Sequence, residues 1–306
     1  MISSVFVKHF AGKHDQQTHG RSLLGESANT VAVGNETFEI GYGPRCEPRK
    51  DSDKQRIARG VRALVSRYGA NGTREVLSLF NQDIGDLSVR IEDISQRNAS
   101  VGGAPKIQFR IYDKENGVSV GNGTRIFFNR LVEHDRLELS RNGAQRTGFG
   151  TEFYRRSEKL YRELGIEKVT LRANLSIGGY AWAALGFDFA DDDGAKKVRD
   201  RAEIVCENLG CKLAVPKHTY EIATLLVPGH DISDQQIMDS LTPIGLLAVQ
   251  TNMTPIASFR TINGELKLGK LILLGTDWEA IKRLNDEEST RASELYFDKK
   301  EKVVRH

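Results

Sequence analysis

A glycine-containing turn in the middle of the chain carries the clearest ligand-binding pattern of the sequence. The turn and the residue after it read Gln145-Arg146-Thr147-Gly148-Phe149-Gly150-Thr151. A strand-like run at residues 137–139 precedes the turn, and an amphipathic stretch at residues 151–164 follows it. A strand that turns through glycines into a helix presents backbone N–H groups at the positive end of the helix dipole. We therefore predict an anion site, and the anion most often held in this way is a phosphate or pyrophosphate.

The spacing of the glycines argues against two common phosphate-binding motifs. A dinucleotide-binding turn needs a third glycine and an acidic residue about 20 positions later. This turn has no third glycine at that offset, and the next predicted strand ends at Arg172-Ala173-Asn174. A nucleoside-triphosphate loop ends in Gly-Lys-Ser or Gly-Lys-Thr, which this turn lacks.

Two groups of histidine and cysteine residues could be metal ligands, but neither has a convincing spacing. Three histidines recur every five residues near the N-terminus, namely His9, His14 and His19. This spacing fits neither one face of a helix nor one face of a strand, so we interpret the segment as a flexible arm. Four residues separate Cys206 from Cys211. His218 lies nearby in the sequence, but no fourth ligand is evident. We interpret them as structural thiols and predict no metal site.

Composition predicts a folded chain without a membrane segment. The 306 residues are 39% hydrophobic and 28% charged, which favours a packed core. No stretch approaches the roughly 20 apolar residues that span a bilayer, and residues 1–7 are too short for a secretory signal. An odd number of cysteines, three, favours a reducing compartment and hence the cytoplasm. A net charge of +3 does not indicate a dedicated nucleic-acid binder.

Hydrophobic periodicity predicts strands first and helices later. Alternation predicts strands at 87–91, 107–112, 118–128, 132–139 and 168–173. A 3.6-residue period predicts helices at 51–69, 74–81, 151–164, 198–209, 220–227, 233–241 and 277–284. Apolar runs at 245–249 and 271–274 fit either strands or buried connections, and residues 286–306 are charged and predicted to fray. The short turns between the early strands favour an antiparallel meander.

These elements predict an α+β, three-layer fold, in which a mixed, mainly antiparallel sheet is flanked by helices and followed by a helical extension. We divide the chain into a flexible arm (1–50), a helical segment (51–84), a core (85–190), a helical C-terminal extension packed on the core (191–290) and a charged tail (291–306).

The order of these features resembles the GNAT superfamily of N-acetyltransferases. Gln145-x-x-Gly148-x-Gly150 is similar to the family's glycine turn, and about 35 residues later an alanine-rich apolar stretch ends in Gly186-Phe187, as it does in the family. The resemblance covers residues 85–190, about a third of the chain. It implies that acetyl-coenzyme A binds with its pyrophosphate on backbone amides from Arg146 to Thr151, and that Gln145 and Arg146 add hydrogen bonds and charge. Glycine in the turn permits a close approach of the ligand.

The resemblance also implies a base that takes a proton from the acceptor amine. Glu133, His134 and Glu138, near the end of the fourth strand, are the candidates. Strand alternation puts Glu133 with Leu137 and Leu139 on one face, and His134 with Glu138 on the other. The leucines make the face of Glu133 the predicted buried one. The alternative interpretation is that the carboxylates are solvated and that the histidine has a structural role.

One position departs from the family pattern. Many family members have a tyrosine four residues before the glycine of Gly-Phe, where it protonates the departing thiolate. Trp182 occupies that position here, and Tyr180 lies two residues earlier, about 200° away on a helix. Tyr180 is thus a candidate acid but not a simple substitute, and both residues could instead be core aromatics.

The leading hypothesis from the sequence is an acetyl-coenzyme A-dependent N-acetyltransferase with an unidentified amine acceptor. A peptide at residues 14–20, His-Asp-Gln-Gln-Thr-His-Gly, resembles a short segment of bacteriophage head-associated proteins. It suggests a phage or prophage origin and a phage structural protein as partner. The alternative is therefore a virion- or prophage-associated binding protein that keeps the scaffold without acetyl transfer. We expect a cytoplasmic or virion-associated protein that does not bind a membrane. A third and weaker interpretation is nucleic-acid binding through the arginines and lysines between Arg45 and Arg74.

Overall fold

The computed structural model describes residues 28–43, 50–97, 103–140, 148–173, 175–251 and 254–304. The strands are β1 (Ala28–Val33), β2 (Glu36–Gly41), β3 (Gln82–Ile84), β4 (Leu87–Arg97), β5 (Ala104–Asp113), β6 (Ser119–Phe127), β7 (Leu131–Leu139), β8 (Lys168–Ala173), β9 (Asp188–Phe189) and β10 (Trp278–Arg283). The α-helices are α1 (Asp51–Leu79), α2 (Phe149–Glu163), α3 (Leu175–Ala184), α4 (Asp192–Leu209), α5 (Thr219–Ala223), α6 (Asp234–Asp239), α7 (Pro243–Gln250), α8 (Leu268–Leu273) and α9 (Glu287–Val304).

Eight of these strands form one mixed sheet in the order β3-β4-β5-β6-β7-β8-β10-β9. All neighbouring pairs are antiparallel except β7 and β8, which are parallel and joined through α2. The predicted α+β class is confirmed, with its mixed, mainly antiparallel sheet and flanking helices. The antiparallel meander is also confirmed for β4 to β7.

Helices α1 and α2 pack on the same face of the sheet. Phe80, which follows α1, and Phe153 of α2 have ring centroids 5.1 and 5.4 Å from that of Phe109 in β5. All three rings are fully buried or nearly so. Burying each side chain of this size contributes roughly 1.5–3 kcal/mol, so this aromatic cluster anchors α2 and the turn before it.

A glycine breaks α1 where the sequence predicts the end of a helix. Gly69 has φ +69° and ψ 179°, a conformation that only glycine adopts readily. The chain returns to helical geometry directly after Gly69, whereas the sequence predicts that the second helix begins at Arg74. The Thr73 hydroxyl donates a hydrogen bond of 2.7 Å to the Gly69 carbonyl, which closes a turn across the break.

Four segments differ from the sequence predictions because tertiary contacts outweigh local propensity. Residues 28–41, predicted as part of a flexible arm, form the β1–β2 hairpin, and its Phe38 and Ile40 are buried. The C-terminal residues predicted to fray form α9, in which Ser289 and Ser293 are buried. The two ambiguous apolar runs are the helices α7 and α8.

A fifth segment that differs from the prediction adds a strand to the sheet. Residues 277–284 were predicted as a helix, but residues 278–283 form β10 between β8 and β9. Trp278, Ala280 and Lys282 are buried, whereas Glu279 and Arg283 between and after them are exposed. This period of two is typical of a strand with one buried face. The predicted C-terminal extension therefore contributes a strand to the central sheet as well as helices.

Candidate functional site

The parallel strands β7 and β8 separate partway along their length. Their pairing runs from Leu131 opposite Lys168 to His134 opposite Leu171. Beyond that position β7 stays paired with β6 as far as Leu139, and β8 stays paired with β10 as far as Ala173. We call the wedge between the carboxyl-terminal halves of β7 and β8 the strand split. Among the described residues, no strand pairs with this edge of β7 beyond His134.

A β-bulge lies at the inner end of the strand split. The pairing of β6 with β7 matches Thr124 to Arg136 but Ile126 to Glu133. Arg125 therefore faces two residues of β7, His134 and Asp135, which defines a bulge in β7. The buried Arg125 guanidinium donates through Nη1 to the carbonyl oxygen of Arg136 at 2.8 Å. This contact fixes the bulged backbone.

The bulge makes the predicted alternation along β7 wrong. His134 is buried against α2, whereas the predicted buried face was that of Glu133. Downstream of the bulge, Leu139 lies beside Gly121 and Ile111, on the same face as His134. Glu138 lies on the other, more exposed face. One extra residue shifts every later side chain of a strand to the opposite face.

The glycine turn meets α2 next to the strand split. Gly148 precedes the helix with φ +80°, and Gly150 lies in its first turn. A Cβ atom added to either glycine would meet no atom within 4 Å among the described residues. Among the described residues, the backbone at Gly148 and Gly150 is therefore open, and the first turn of a helix carries N–H groups without a partner in the helix. Phe149 is buried and stacks on Phe153, while Thr151 is half-buried. Gln145, Arg146 and Thr147 lie outside the described residues.

His134 occupies the inner end of the strand split. Its Nε2 atom lies 3.0 Å from the Tyr161 hydroxyl, and only 5% of its surface is exposed. The rings of Tyr154 and Trp182 lie 6.0 and 6.1 Å from the imidazole, centroid to centroid. Desolvation, followed by the charge of Arg125, lowers the pKa of His134 well below 6.5. The imidazole is therefore neutral at pH 7, with one ring nitrogen that can accept a proton.

The two carboxylate candidates are held by arginines outside the His134 environment. Glu133 accepts hydrogen bonds from Nη1 of Arg97, at 2.9 Å to the nearer oxygen. Glu138 forms an ion pair with Arg136, at 2.5 Å. Among the residues proposed as bases, the structure thus places only His134 where the strands separate.

Tyr180 and Trp182 face different surroundings, as their spacing on a helix predicts. Trp182 belongs to the aromatic cluster around His134 and lies 5.2 Å from the Phe187 ring. Tyr180 lies toward α8, where Nζ of Lys270 is 5.9 Å from its ring centroid. Burial raises the pKa of Tyr180 to about 12. The structure does not bring Tyr180 into the His134 cluster.

Sequence reasoning missed the side chains that complete this site. The sequence patterns predict a helix that contains Tyr154 and Tyr161 and a strand that contains Arg125, but they assign these side chains no part in the site. Arg125 lies in a predicted strand and has no charged partner nearby in the sequence. This isolated charge was the one signal that could have pointed to the site. All three side chains are buried, and their proximity to His134 follows from the bulge and from the packing of α2.

Within the described ranges, no group of three or more His, Cys, Asp or Glu side chains is arranged so that it could hold a metal ion. His9, His14 and His19 lie outside those ranges. Cys206 is buried and Cys211 is half-buried at the end of α4. His218 pairs with Asp188 instead, with Nδ1 to Oδ2 at 2.6 Å. No helix in the described part of the chain is both long and apolar enough to span a bilayer.

Comparison with known proteins gives partial structural matches only. No protein-family model and no curated protein matches the sequence. One similar solved structure is a nourseothricin acetyltransferase, with 18% identity over 28% of this chain and 52% of that one and a TM-score of 0.25. A second is an acyl-CoA N-acyltransferase, described as putative, from Klebsiella pneumoniae subsp. pneumoniae, with 19% identity over 26% of this chain and 53% of that one and a TM-score of 0.21. A third is Tetrahymena GCN5, with 13% identity over 40% of this chain and 67% of that one and a TM-score of 0.21. The chain spans about half the length of the first two structures.

Proposed function

We propose that this protein transfers an acetyl group from acetyl-coenzyme A to an amine. The observation that supports this proposal is the position of the strand split beside the glycine turn of α2. An added Cβ atom at Gly148 or Gly150 would meet no described atom within 4 Å, which supports a phosphate at the turn. The edge of β7 that β8 leaves unpaired after His134 supports an extended ligand beside it. A chain of amides can bind a free strand edge by backbone hydrogen bonds. Coenzyme A combines these requirements, since it joins a pyrophosphate to an amide-containing arm.

The proposed residues divide into binding and proton-transfer groups. The backbone amides of residues 146–151, with glycine at 148 and 150, hold the pyrophosphate, and the side chains of Gln145 and Arg146 add hydrogen bonds and charge. The neutral amine of the acceptor attacks the thioester carbonyl, a C–N bond forms, and the C–S bond breaks. His134 is the base that accepts the amine proton, directly or through water, because the other two candidate bases are engaged by arginines.

A second candidate function is binding of coenzyme A or a related ligand without acetyl transfer. Two observations favour it. Trp182 has no acidic proton to give to a departing thiolate, and His134 is buried with its Nε2 atom at the Tyr161 hydroxyl. The resemblance of residues 14–20 to phage head-associated proteins makes attachment to a virion the context of this alternative.

The two functions are separated by measuring binding and turnover on the same protein. Coenzyme A at 100 times its dissociation constant should stabilise the fold by about 2.7 kcal/mol, which a thermal-shift assay detects. Release of free thiol from acetyl-coenzyme A with a panel of amines then reports transfer. A shift together with amine-dependent thiol release supports the acetyltransferase. A shift without thiol release supports the binding protein, and no shift contradicts the acetyltransferase and any binding of coenzyme A.

A matched pair of variants tests the position of the phosphate. Gly150→Glu puts a carboxylate at the N-terminus of α2, where it stabilises the helix by about 0.3–1 kcal/mol but repels a pyrophosphate. Gly150→Gln has a similar volume without the charge. We expect Gly150→Glu to lose the coenzyme A shift while it keeps or raises the melting temperature of the free protein. Equal loss of affinity in both variants would indicate a steric effect, and unchanged affinity in Gly150→Glu would place the phosphate elsewhere.

A further inference from the structure

The helix α1 lines a basic groove at the ends of the inner strands of the sheet, on the side where β7 begins and opposite to the strand split. We infer that this groove binds a phosphate-bearing polyanion. We call it the arginine groove. Its volume is about 630 Å³, and its main lining residues are Arg59, Arg62, Ser66, Arg67, Gln96 and Asn129.

The arginine groove is built from one face of α1 and from the ends of three strands. Arg59, Arg62 and Ser66 are three and seven residues apart along the helix, so they lie on one face. Gln96 comes from the end of β4, and Asn129 from the turn between β6 and β7. That turn precedes the amino end of β7, whereas the strand split lies at its carboxyl end. The groove is therefore a separate site from the proposed coenzyme A site.

The position of the helix wall is fixed by two hydrogen bonds to the β6–β7 turn. Arg67 donates through Nη1 to the Phe127 carbonyl oxygen. The Tyr68 hydroxyl donates to the Phe128 carbonyl oxygen at 2.9 Å. These contacts hold α1 against the turn that carries Asn129. A groove with fixed walls loses little conformational entropy when a ligand binds.

The charge in the arginine groove is uncompensated. The side chains of Arg59 and Arg62 are exposed and make no ion pair or hydrogen bond with any residue that the structure describes. Nearby arginines differ in this respect. Arg56 pairs with Asp93 at 3.0 Å, and Arg97 pairs with Glu133 at 2.9 Å. None of the lining residues is acidic.

This arrangement costs stability unless an anion is bound. Like charges three residues apart on a helix destabilise it by a few tenths of a kcal/mol. Arginines that serve only to keep a surface soluble can form ion pairs with nearby carboxylates, as Arg56 and Arg97 do next to the groove. Two unpaired guanidinium groups on one helix face, beside a third that is fixed by a carbonyl, favour a ligand with several negative charges.

The side chains that line the groove favour phosphate over other anions. If the ligand is a nucleic acid, they favour contacts to its phosphate backbone over contacts to its bases. A guanidinium group forms two parallel hydrogen bonds with a phosphate, and the amides of Gln96 and Asn129 add further donors. No aromatic residue is among the lining residues, so the groove has no platform on which a nucleobase could stack. Its volume falls within the range of small-molecule sites. The phosphates could belong to a small polyphosphorylated molecule or to a nucleic-acid backbone.

Binding of defined polyanions to the full chain tests this inference. We would titrate the protein with tripolyphosphate by calorimetry, and with a labelled single-stranded oligonucleotide by fluorescence anisotropy, both at low ionic strength. The test variant is Arg59→Gln/Arg62→Gln. The control is Arg283→Gln/Arg291→Gln, which removes the same net charge from two exposed arginines at β10 and α9.

We expect tripolyphosphate, the oligonucleotide or both to bind the wild type. The Arg59→Gln/Arg62→Gln variant should bind at least about tenfold more weakly, because each lost phosphate contact weakens binding at low salt. The control should bind within about twofold of the wild type. Absence of binding to either probe, unchanged affinity in the test variant, or equal weakening in the control would each overturn the inference. Since the replaced side chains are exposed, both variants should keep the melting temperature of the wild type.

The two probes identify the source of the phosphate, and the coenzyme A site serves as an internal reference. Binding of tripolyphosphate alone assigns a small phosphorylated ligand, whereas tighter binding of the oligonucleotide assigns a nucleic-acid backbone. The Arg59→Gln/Arg62→Gln variant should keep the thermal shift with coenzyme A. Tripolyphosphate is also titrated into the Gly150→Glu protein, with and without Arg59→Gln/Arg62→Gln, because Gly150→Glu repels phosphate from the glycine turn and leaves the arginine groove as the measured site. The two sites can therefore fail independently.

Discussion

The Nε2 atom of His134 lies 3.0 Å from the Tyr161 hydroxyl, at the position where β7 and β8 stop pairing. This contact joins the inner end of the strand split to the helix that carries the glycine turn. His134 is also one of the two residues that form the β-bulge. Its protonation state therefore bears on both the stability of the fold and the proposed transfer reaction.

The first prediction concerns stability in acid. Burial lowers the pKa of His134 well below 6.5, so between that lowered value and 6.5 the unfolded chain binds a proton that the folded chain does not. The stabilising contribution is thus present above pH 6.5 and is lost as the pH falls below it. We expect urea unfolding to show that the wild type loses more stability than His134→Gln from about pH 7 to about pH 5. His230→Gln, which alters an exposed histidine, should follow the wild type, and parallel curves for His134→Gln and wild type would contradict the prediction.

The second prediction concerns the partner of this histidine. Tyr161→Phe removes the hydroxyl at Nε2, and Nδ1 of His134 already has no partner among the described residues. A buried polar group without a partner costs about 1–3 kcal/mol, so we expect the free energy of unfolding to fall by that amount. The same substitution in a His134→Phe background should cost less. An equal cost in both backgrounds would show that the hydroxyl acts through another partner.

The third prediction compares the two glycines of the turn. At both positions an added Cβ atom meets open space, so only the backbone conformation differs. Gly148→Ala forces a left-handed φ of +80° on alanine and should cost about 1–2 kcal/mol. Gly150→Ala replaces a helical glycine and should stabilise the free protein by about 0.5–1 kcal/mol. Thermal unfolding of both variants gives the signs, and the same sign for both would refute the helix boundary at Gly148.

The fourth prediction concerns a buried lysine behind α2. Nζ of Lys282 donates to Glu158 at 2.7 Å and to the Leu185 carbonyl oxygen at 2.8 Å. Desolvation lowers its pKa to about 8, so above pH 8 the folded chain releases this proton while the unfolded chain still holds it. The contribution of Lys282 to stability therefore rises as the pH increases from about 8 toward 10.

Lys282→Met isolates this effect. Glu158 keeps Arg162 as a partner at 2.7 Å, so the variant should still fold. We expect the difference in unfolding free energy between wild type and Lys282→Met to increase in favour of the wild type over the same pH interval, as measured by chemical denaturation. A difference that does not change with pH would show that Lys282 titrates alike in the folded and unfolded states.

Local sequence patterns determined the elements that position the glycine turn. The apolar period of α2 and the glycine that follows it predict this helix, which ends at Glu163 before Gly165 adopts φ +70°. The alternation in β5 and β7 likewise predicts strands. These signals are local, because helix periodicity and turn conformation depend on residues within one or two turns of each other. They were enough to predict an anion site and a mainly antiparallel sheet.

Tertiary structure alone decided which side chains meet at that site. The bulge opposite Arg125 turns His134 inward and Glu138 outward, and no pattern within β7 encodes an extra residue that exists only relative to β6. The assignment of residues 278–283 to the sheet required β8 as a partner. The register of the strands and the separation of β7 from β8 are relationships between distant segments. The same holds for the charge of Arg59 and Arg62, which no described residue pairs. Their energies arise from pairing and burial in the folded chain, so the sequence supplied the groups and the fold decided their neighbours.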